Sequence, residues 1–220
     1  MVILEAQKLS KHYPGTPLVR AVDGVDLTIE RSSLMEIHGP SGSGKTTLLA
    51  LLGALERPTS GEIRFDGTLL TRCSGAELTR VRQRIGFIFQ DFALIPNLTA
   101  QENILYPLLP RGLSRHERLL RAGKWLERFE MSMRSHVRAG QLSGGEQQRI
   151  AIARALAGQP DVILADEPTS NLDDVMTTRF VEAIHEFRDR GGTVVLASHD
   201  PRLHFSSPQR LVMNRGRRSE

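Results

Sequence analysis

Gly39-Pro40-Ser41-Gly42-Ser43-Gly44-Lys45-Thr46 decides the reading of this chain, because it fits the phosphate-loop pattern G-x-x-x-x-G-K-[ST] at every fixed position. Each residue type has a chemical reason. The glycines let successive backbone N–H groups turn inward and form a concave anion nest. The helix that follows adds free N–H groups and the positive end of its dipole. Lys45 brings a mobile cation for the β- and γ-phosphates, and the Thr46 hydroxyl can ligate Mg²⁺. Upstream, Leu34, Met35 and Ile37 make an apolar run of strand length, although Glu36 and His38 are more polar than a central strand usually carries. Downstream, Leu48, Leu49, Leu51, Leu52 and Leu55 cover most of a helix circumference, as a helix packed on a sheet requires. Strand, loop and apolar helix in that order imply a nucleoside-triphosphate site rather than a plain glycine-rich turn.

The chain has 220 residues, of which 40% are hydrophobic and 25% charged. These values fit one globular domain, or one with a small lobe, and exclude disordered and fibrous classes. The single cysteine, Cys73, excludes an internal disulfide and fits a reducing compartment. No apolar run approaches a membrane span, and the N-terminus lacks a signal-peptide layout. A cytoplasmic protein is therefore expected, with any membrane role reached through a partner. The net charge of +4 comes with scattered arginines and only 5% aromatic residues, which argues against nucleic acid as a partner. The run from Asn214 to Arg218 reads as a frayed terminus.

Working outward, Val2 to Leu9, Val25 to Ile29 and Gly61 to Phe65 read as short strands. The first quarter then mixes an antiparallel β layer with the start of a parallel core. His12-Tyr13-Pro14-Gly15 reads as the turn between the early strands, and a charged helical stretch from Gly75 to Arg84 precedes the apolar strand Ile85 to Phe89, ending at Gln90. Thr99-x-x-Glu102 and Ser114-x-x-Glu117 have capping-box spacing, each opening a helix. Pro107 and Pro110 end the first, and the second carries Leu119, Leu120, Trp125, Leu126 and Phe129 as core contacts. Residues of about 91 to 157 thus read as a helical block set between core strands. Beyond it, Asp161 to Ala165, Thr193 to Ala197 and Arg210 to Met213 read as strands, with a helix near Asp174 to Arg190. Strands alternating with helices predict an α/β fold with a parallel sheet.

Val162-Ile163-Leu164-Ala165-Asp166-Glu167 ends an apolar strand in two carboxylates. Strand tips of a parallel sheet gather where the phosphate loop sits, so both acids can face the nucleotide. Asp166 suits a Mg²⁺ shell, and Glu167 can accept a proton from attacking water. Leu142-Ser143-Gly144-Gly145-Glu146 is the most specific stretch in the chain. Ser143 and Glu146 again have capping-box spacing, yet a purely structural cap rarely needs two glycines in its first turn, since each weakens the helix. A helix tip bare of side chains is an anion site. One phosphate site is already present, so this half-site reads as serving a nucleotide held by another subunit.

These motifs, with Gln90, Ser170-Asn171-Leu172-Asp173 and His199, occur in the order found in ATP-binding cassette (ABC) ATPases, which the chain resembles along essentially its whole length. The resemblance implies a P-loop NTPase fold of the ABC type, in one domain over 1–220. Its mixed sheet core and antiparallel β subdomain would take about 1–90 and 158–220, with an inserted helical subdomain over 91–157 carrying the signature. It implies an ATPase using ATP and Mg²⁺. Nucleotide contacts are implied for Gly39, Pro40, Ser41, Gly42, Ser43, Gly44, Lys45, Thr46 and Thr47, with Tyr13 stacking on adenine. Ser143, Gly144 and Gly145 would meet the γ-phosphate of the opposite subunit, and Asp173 would line the seam between the two. Thr46, Gln90 and Asp166 are the implied metal contacts. The implied catalytic residues are Glu167, His199 as the γ-phosphate switch, and Gln90 as the sensor of attacking water and membrane partner. Some positions depart from the family pattern. Arg138-Ala139-Gly140-Gln141 lacks a proline often found there, His38 replaces an apolar residue, and Asn171 stands where a small residue is common. None removes a catalytic group.

The segment Ile85 to Thr99, with Gln101-Glu102-Asn103-Ile104 after it, most resembles the ATPase subunits of lipoprotein-releasing, macrolide-export and cell-division ABC systems. In these the membrane partner couples ATP turnover to mechanical work on the far side of the membrane. The implied partners are a second ATPase subunit, expected as a homodimer, and an integral membrane permease. The implied location is cytoplasmic, peripheral on the inner face of the membrane through that partner. A soluble ABC ATPase acting on DNA ends would need a long coiled-coil insertion, and the 91–157 block is too short and lacks sustained heptads. A regulatory scaffold that binds without turnover would not need an intact Glu167 and His199.

Overall fold

A computed structural model describes residues 1–206 and 208–219. In chain order the strands and helices are β1 (Val2–Tyr13), β2 (Val19–Glu30), β3 (Leu34–His38), α1 (Lys45–Leu52), β4 (Ser60–Phe65), β5 (Thr68–Leu69) and α2 (Gly75–Gln83). There follow β6 (Ile85–Ile88), α3 (Ala100–Leu105), α4 (Arg115–Arg128), α5 (Gly144–Ala157), β7 (Val162–Asp166), α6 (Asp174–Asp189), β8 (Thr193–Ala197), β9 (Gln209–Asn214) and β10 (Arg217–Ser219). Two sheets result. One is antiparallel, in the order β2-β1-β4-β5, and the other is six-stranded, in the order β10-β9-β3-β8-β7-β6. In the larger sheet β6, β7, β8, β3 and β9 run parallel, and β10 returns antiparallel to β9.

The central strands are apolar on both faces because both faces are covered. Val162 and Leu164 of β7, with Val195 and Ala197 of β8, join a core shared with Leu48 and Leu52 of α1 and Leu4, Leu9 and Phe65 of the antiparallel sheet. The alternate residues Ile163, Ala165, Val194 and Leu196 face a second core with Ile104, Phe129, Ile150 and Phe180. The period of two along each strand thus sorts one continuous apolar run into two cores.

Strands β6 and β7 are neighbours in the sheet, yet α3, α4 and α5 lie between them in sequence. Each of these helices opens on a formed capping box, at Thr99/Glu102, Ser114/Glu117 and Ser143/Glu146. A fourth, Ser74/Glu77, opens α2, and reading the sequence did not single it out. On α4 and its C-cap the inward face is Ala122, Leu126 and Phe129, all buried, whereas Leu120 is 60% exposed and is not a core residue. Helical spacing explains it: 122, 126 and 129 share a face, and 120 points away from it. Trp125 stacks on Phe129 with ring centroids 6.1 Å apart.

Two local readings change. His12 and Tyr13 belong to β1, which is longer than its apolar start implies, so the turn falls after them. The tail is not frayed: Asn214 and Arg217 close a hairpin of β9 and β10. Gly216 donates its N–H to the Ser43 carbonyl at 3.0 Å and accepts from Asp23 N–H at 2.8 Å. The Arg217 guanidinium meets the Asp23 carboxylate at 2.8 Å.

Candidate functional site

The phosphate loop leaves the tip of β3 and enters α1 under tight steric control. A Cβ at Gly39 would sit 2.2 Å from the Met213 carbonyl oxygen, and one at Gly44 would sit 1.9 Å from that of Ala21. Gly44 also has φ +100°, a left-handed conformation that glycine adopts without strain. Only glycine fits either place. Gly44 caps α1 without a side chain, so nothing of the chain's own occupies the helix's first N–H groups from the cap position.

The Lys45 ammonium donates to the carbonyls of Gly39 at 2.6 Å and Pro40 at 3.1 Å, and lies 3.3 Å from His199 Nε2. Ser43 Oγ is buried with no partner. An orphaned hydroxyl and a cation resting on loop carbonyls are what an anion in the nest would engage. Thr46 Oγ1 donates to Asp166 Oδ2 at 2.5 Å. Burial pushes the Asp166 carboxyl upward; the Thr46 bond opposes this, the Glu167 charge adds to it, and Lys45 again opposes it.

Glu167 follows β7 with φ +46°, a left-handed conformation that costs a side-chain-bearing residue strain. Its N–H donates to the Ala197 carbonyl at 2.8 Å. Its Oε2 accepts from Ser198 Oγ at 3.1 Å and from His199 N–H at 3.3 Å. His199 Nε2 stands 3.9 Å from Oε1. The tip of β8 therefore holds one carboxylate oxygen and leaves the other toward the cleft.

Around these groups lies an open cleft of about 990 Å³ that brings Tyr13, Ser41 to Thr47, Gln90, Asp166, Glu167 and His199 together. Tyr13 reaches it from the end of β1, its hydroxyl donating to the Glu56 carboxylate at 2.7 and 2.8 Å. Lys11 meets the same carboxylate at 2.9 Å and sits 5.1 Å from the Tyr13 ring centre. Burial and the Glu56 carboxylate raise the Tyr13 hydroxyl pKa, with a Thr47 hydrogen bond opposing. Arg20, Ser170 and Arg215 also line the cleft and were not picked out from sequence. Ser170 had a signal in the Ser170-Asn171-Leu172-Asp173 run, its Oγ donating to the Glu167 carbonyl at 3.1 Å. The two arginines had none.

Ser143, Gly144, Gly145 and Asp173 are not among the residues lining that cleft. Ser143 Oγ accepts from the Glu146 N–H at 3.3 Å. Asp173 Oδ1 accepts from the Met176 N–H at 2.8 Å and caps α6. Within one chain, the glycine-bearing tip of α5 and the phosphate loop are separate features.

For a metal, the donor set is Thr46 Oγ1, the Asp166 carboxylate and the Gln90 amide. Hard oxygen ligands in small number suit Mg²⁺, which takes much of its shell from water and phosphate. Among the described residues no three His, Cys, Asp or Glu side chains cluster to hold a metal by themselves.

A family model described as ABC transporter matches residues 22–170. The uncharacterised ABC transporter ATP-binding protein Rv0073 of Mycobacterium tuberculosis (strain ATCC 25618 / H37Rv) is 44% identical over 194 residues, covering 88% of this chain and 59% of that protein. The macrolide export ATP-binding/permease protein MacB of Escherichia coli (strain K12) is 41% identical over 203 residues, covering 91% of this chain and 31% of MacB. The chain thus spans less than two thirds of either relative. The dimeric structure of the ATP-binding cassette MJ0796 in a post-hydrolysis state, bound to ADP and Pi, aligns at TM-score 0.94 with 36% identity, covering 99% of this chain and 97% of that one.

Proposed function

This chain belongs to the ABC transporter family, and from that premise we propose that it binds and hydrolyses ATP within a membrane complex, powering export or extracytoplasmic mechanical work through an integral permease. The observation that carries the reading is one cleft holding Lys45, Thr46, Asp166, Glu167 and His199 together. The similarity to MacB, a macrolide export ATP-binding/permease protein, favours the export class.

The phosphate loop and Lys45 bind the β- and γ-phosphates, and Tyr13 offers an aromatic face to the base. Thr46, Asp166 and Gln90 would hold Mg²⁺, which would supply neutralisation of the charge that develops on the transferring phosphoryl group. Glu167, fixed at one oxygen by Ser198 and the His199 N–H, takes the proton of the attacking water through the other. His199, already 3.3 Å from Lys45 Nζ, is placed to donate to the γ-phosphate. The α5 tip completes the site from a second copy, and Asp173 lines the seam between them. The dimeric state of the nucleotide-bound MJ0796 cassette supports a second copy as the partner. Gln90 and the helical block carry the movement to the permease, which places the chain at the cytoplasmic face of a membrane. No helix of the described residues is long and apolar enough to cross one.

Glu167→Gln tests this reading. The variant should bind ATP as tightly as the wild type, lose turnover, and run as an ATP-dependent dimer on sizing. A variant that hydrolyses ATP at the wild-type rate would remove Glu167 from its role.

A further inference from the structure

A second cavity lies at the opposite end of the sheet from the nucleotide cleft, where the strands begin. It has a volume of about 380 Å³ and is walled by α4 on one side and by the C-terminal end of α6 with the start of β7 on the other. That volume falls within the range of small-ligand sites. Its walls are preformed. The Phe187 ring packs so closely on Gly192 that a Cβ there would come within 2.4 Å of it. Trp125 is held by stacking on Phe129 and by the Arg128 guanidinium 5.5 Å from its ring centre. Leu156 and Pro160 add apolar surface.

The charge around this apolar space is uneven. Four cations face it, Arg31, Arg121, Lys124 and Arg190, against two carboxylates, Asp161 and Glu186. Both carboxylates are already engaged. Asp161 takes Arg84 at 2.5 Å, and Glu186 takes Arg128 at 2.7 and 2.8 Å with Arg190 at 3.3 Å. Arg31 is paired with Asp66. Arg121 and Lys124, one turn apart on α4, form no ion pair among the described residues. Two cations without a close ion pair, Arg121 near Glu117 and Lys124 near an already engaged Glu186, beside a fixed indole and an apolar wall suit a ligand with a flat apolar body and one anionic group. We infer that this cavity binds a small aromatic anion, of the arenesulfonate, aryl-carboxylate or aryl-phosphate class, with its ring against Trp125 and its charge on Arg121 and Lys124. Because α4 belongs to the helical block and α6 to the sheet layer, an occupant would bridge the two.

The chain has a single tryptophan, and it lines this cavity, so a ligand seated here lies against the one indole present, and the variants below assign the transfer to this site. The full-length protein should be titrated with 8-anilinonaphthalene-1-sulfonate while energy transfer from Trp125 is followed. One saturable site is expected, unaffected by saturating ATP and Mg²⁺. The uncharged analogue N-phenyl-1-naphthylamine should bind roughly tenfold more weakly, and so should the sulfonate to R121Q/K124Q, a loss of about 1.4 kcal/mol in each case. The double variant should keep the wild-type Tm and ATP turnover, since neither residue touches the nucleotide cleft. Equal transfer in the double variant, equal binding of the uncharged analogue, or displacement of the probe by ATP would each overturn the assignment.

Discussion

Gly144 and Gly145 look equivalent in sequence, but their surroundings separate them. A Cβ at Gly145 would lie 2.9 Å from the Asn171 carbonyl oxygen, so close packing alone requires that glycine. At Gly144 the nearest atom is Asn171 Oδ1 at 3.5 Å, an ordinary contact. Nothing within the chain explains why Gly144 is bare. Gly145→Ala should therefore destabilise the isolated chain by about 1–3 kcal/mol. Gly144→Ala should leave its Tm equal or higher, since alanine gains about 0.5–1 kcal/mol over glycine in a helix. Gly144→Ala should nevertheless lower ATP turnover, because the methyl group intrudes where a partner's phosphate would sit. Unchanged turnover at unchanged Tm would return Gly144 to a structural role. Asp166 offers a second test at this scale. Its raised pKa means the ionised form is disfavoured in the nucleotide-free fold, so the cost is absent below the ordinary carboxylate pKa of 3.8, grows as pH rises from there, and is fully present above the raised pKa. Asp166→Asn keeps an acceptor for Thr46 and should raise the Tm of the nucleotide-free protein at pH 8. The gain should shrink as pH falls below the raised pKa and vanish below the ordinary carboxylate value of 3.8, while Mg²⁺-dependent hydrolysis is lost at every pH. A Tm gain that persists undiminished at about pH 3 would show that the charge was not its origin.

Between elements, Arg202 joins the two loops that follow the proposed catalytic residues Glu167 and His199. Its guanidinium binds both Asp200 oxygens, the nearer at 2.7 Å, along with the Leu172 carbonyl at 3.1 Å, Asp174 at 2.9 Å and the Thr169 carbonyl at 3.3 Å. Thr169 Oγ1 closes the circuit onto Asp200 at 2.6 Å. The segment after Glu167 is thus fastened to the segment after His199, which would keep the proposed base and switch in register, and the guanidinium holds the Asp200 carboxyl far below the usual range. Arg202→Gln should lower kcat about tenfold with KM for ATP little changed, and Arg202→Lys should recover part of it. Equal losses in KM would point to binding instead. The hairpin of β9 and β10 makes a similar case, since Gly216 and Met213 press on the phosphate loop from behind. Removing residues 215–220 should weaken ATP binding by roughly tenfold. These two elements also mark where the sequence ran out. The phosphate loop, the strand ending in Asp166-Glu167 and three capping boxes were legible because their chemistry is local and their spacing is short. The hairpin was not, because Arg217 finds its partner Asp23 only through the fold, and charged residues in a row look like a loose end. Arg20, Arg202 and Arg215 were missed for the same reason.

Across the whole molecule, the separation of the α5 tip from the cleft permits a test that no single variant provides. If each working site joins the phosphate loop of one copy to the Ser143-Gly144-Gly145 tip of the other, two differently damaged chains can repair each other. Lys45→Ala removes the cation of the nest and leaves the tip intact. Ser143→Arg blocks the tip and leaves the nest intact. Each variant alone makes two dead sites per dimer. Mixed in equal amounts, half the dimers should be heterodimers with one intact and one doubly damaged site, so turnover should recover toward about a quarter of the wild-type rate. Should both sites have to fire together, a Glu167→Gln background still discriminates, because the mixed pair should retain one ATP for every two chains on sizing. Were loop and tip to serve the same chain's nucleotide, mixing would restore neither turnover nor trapped ATP. That outcome would make the bare tip of α5 a feature of one molecule, and the cleft of Lys45 and Glu167 a site complete in itself.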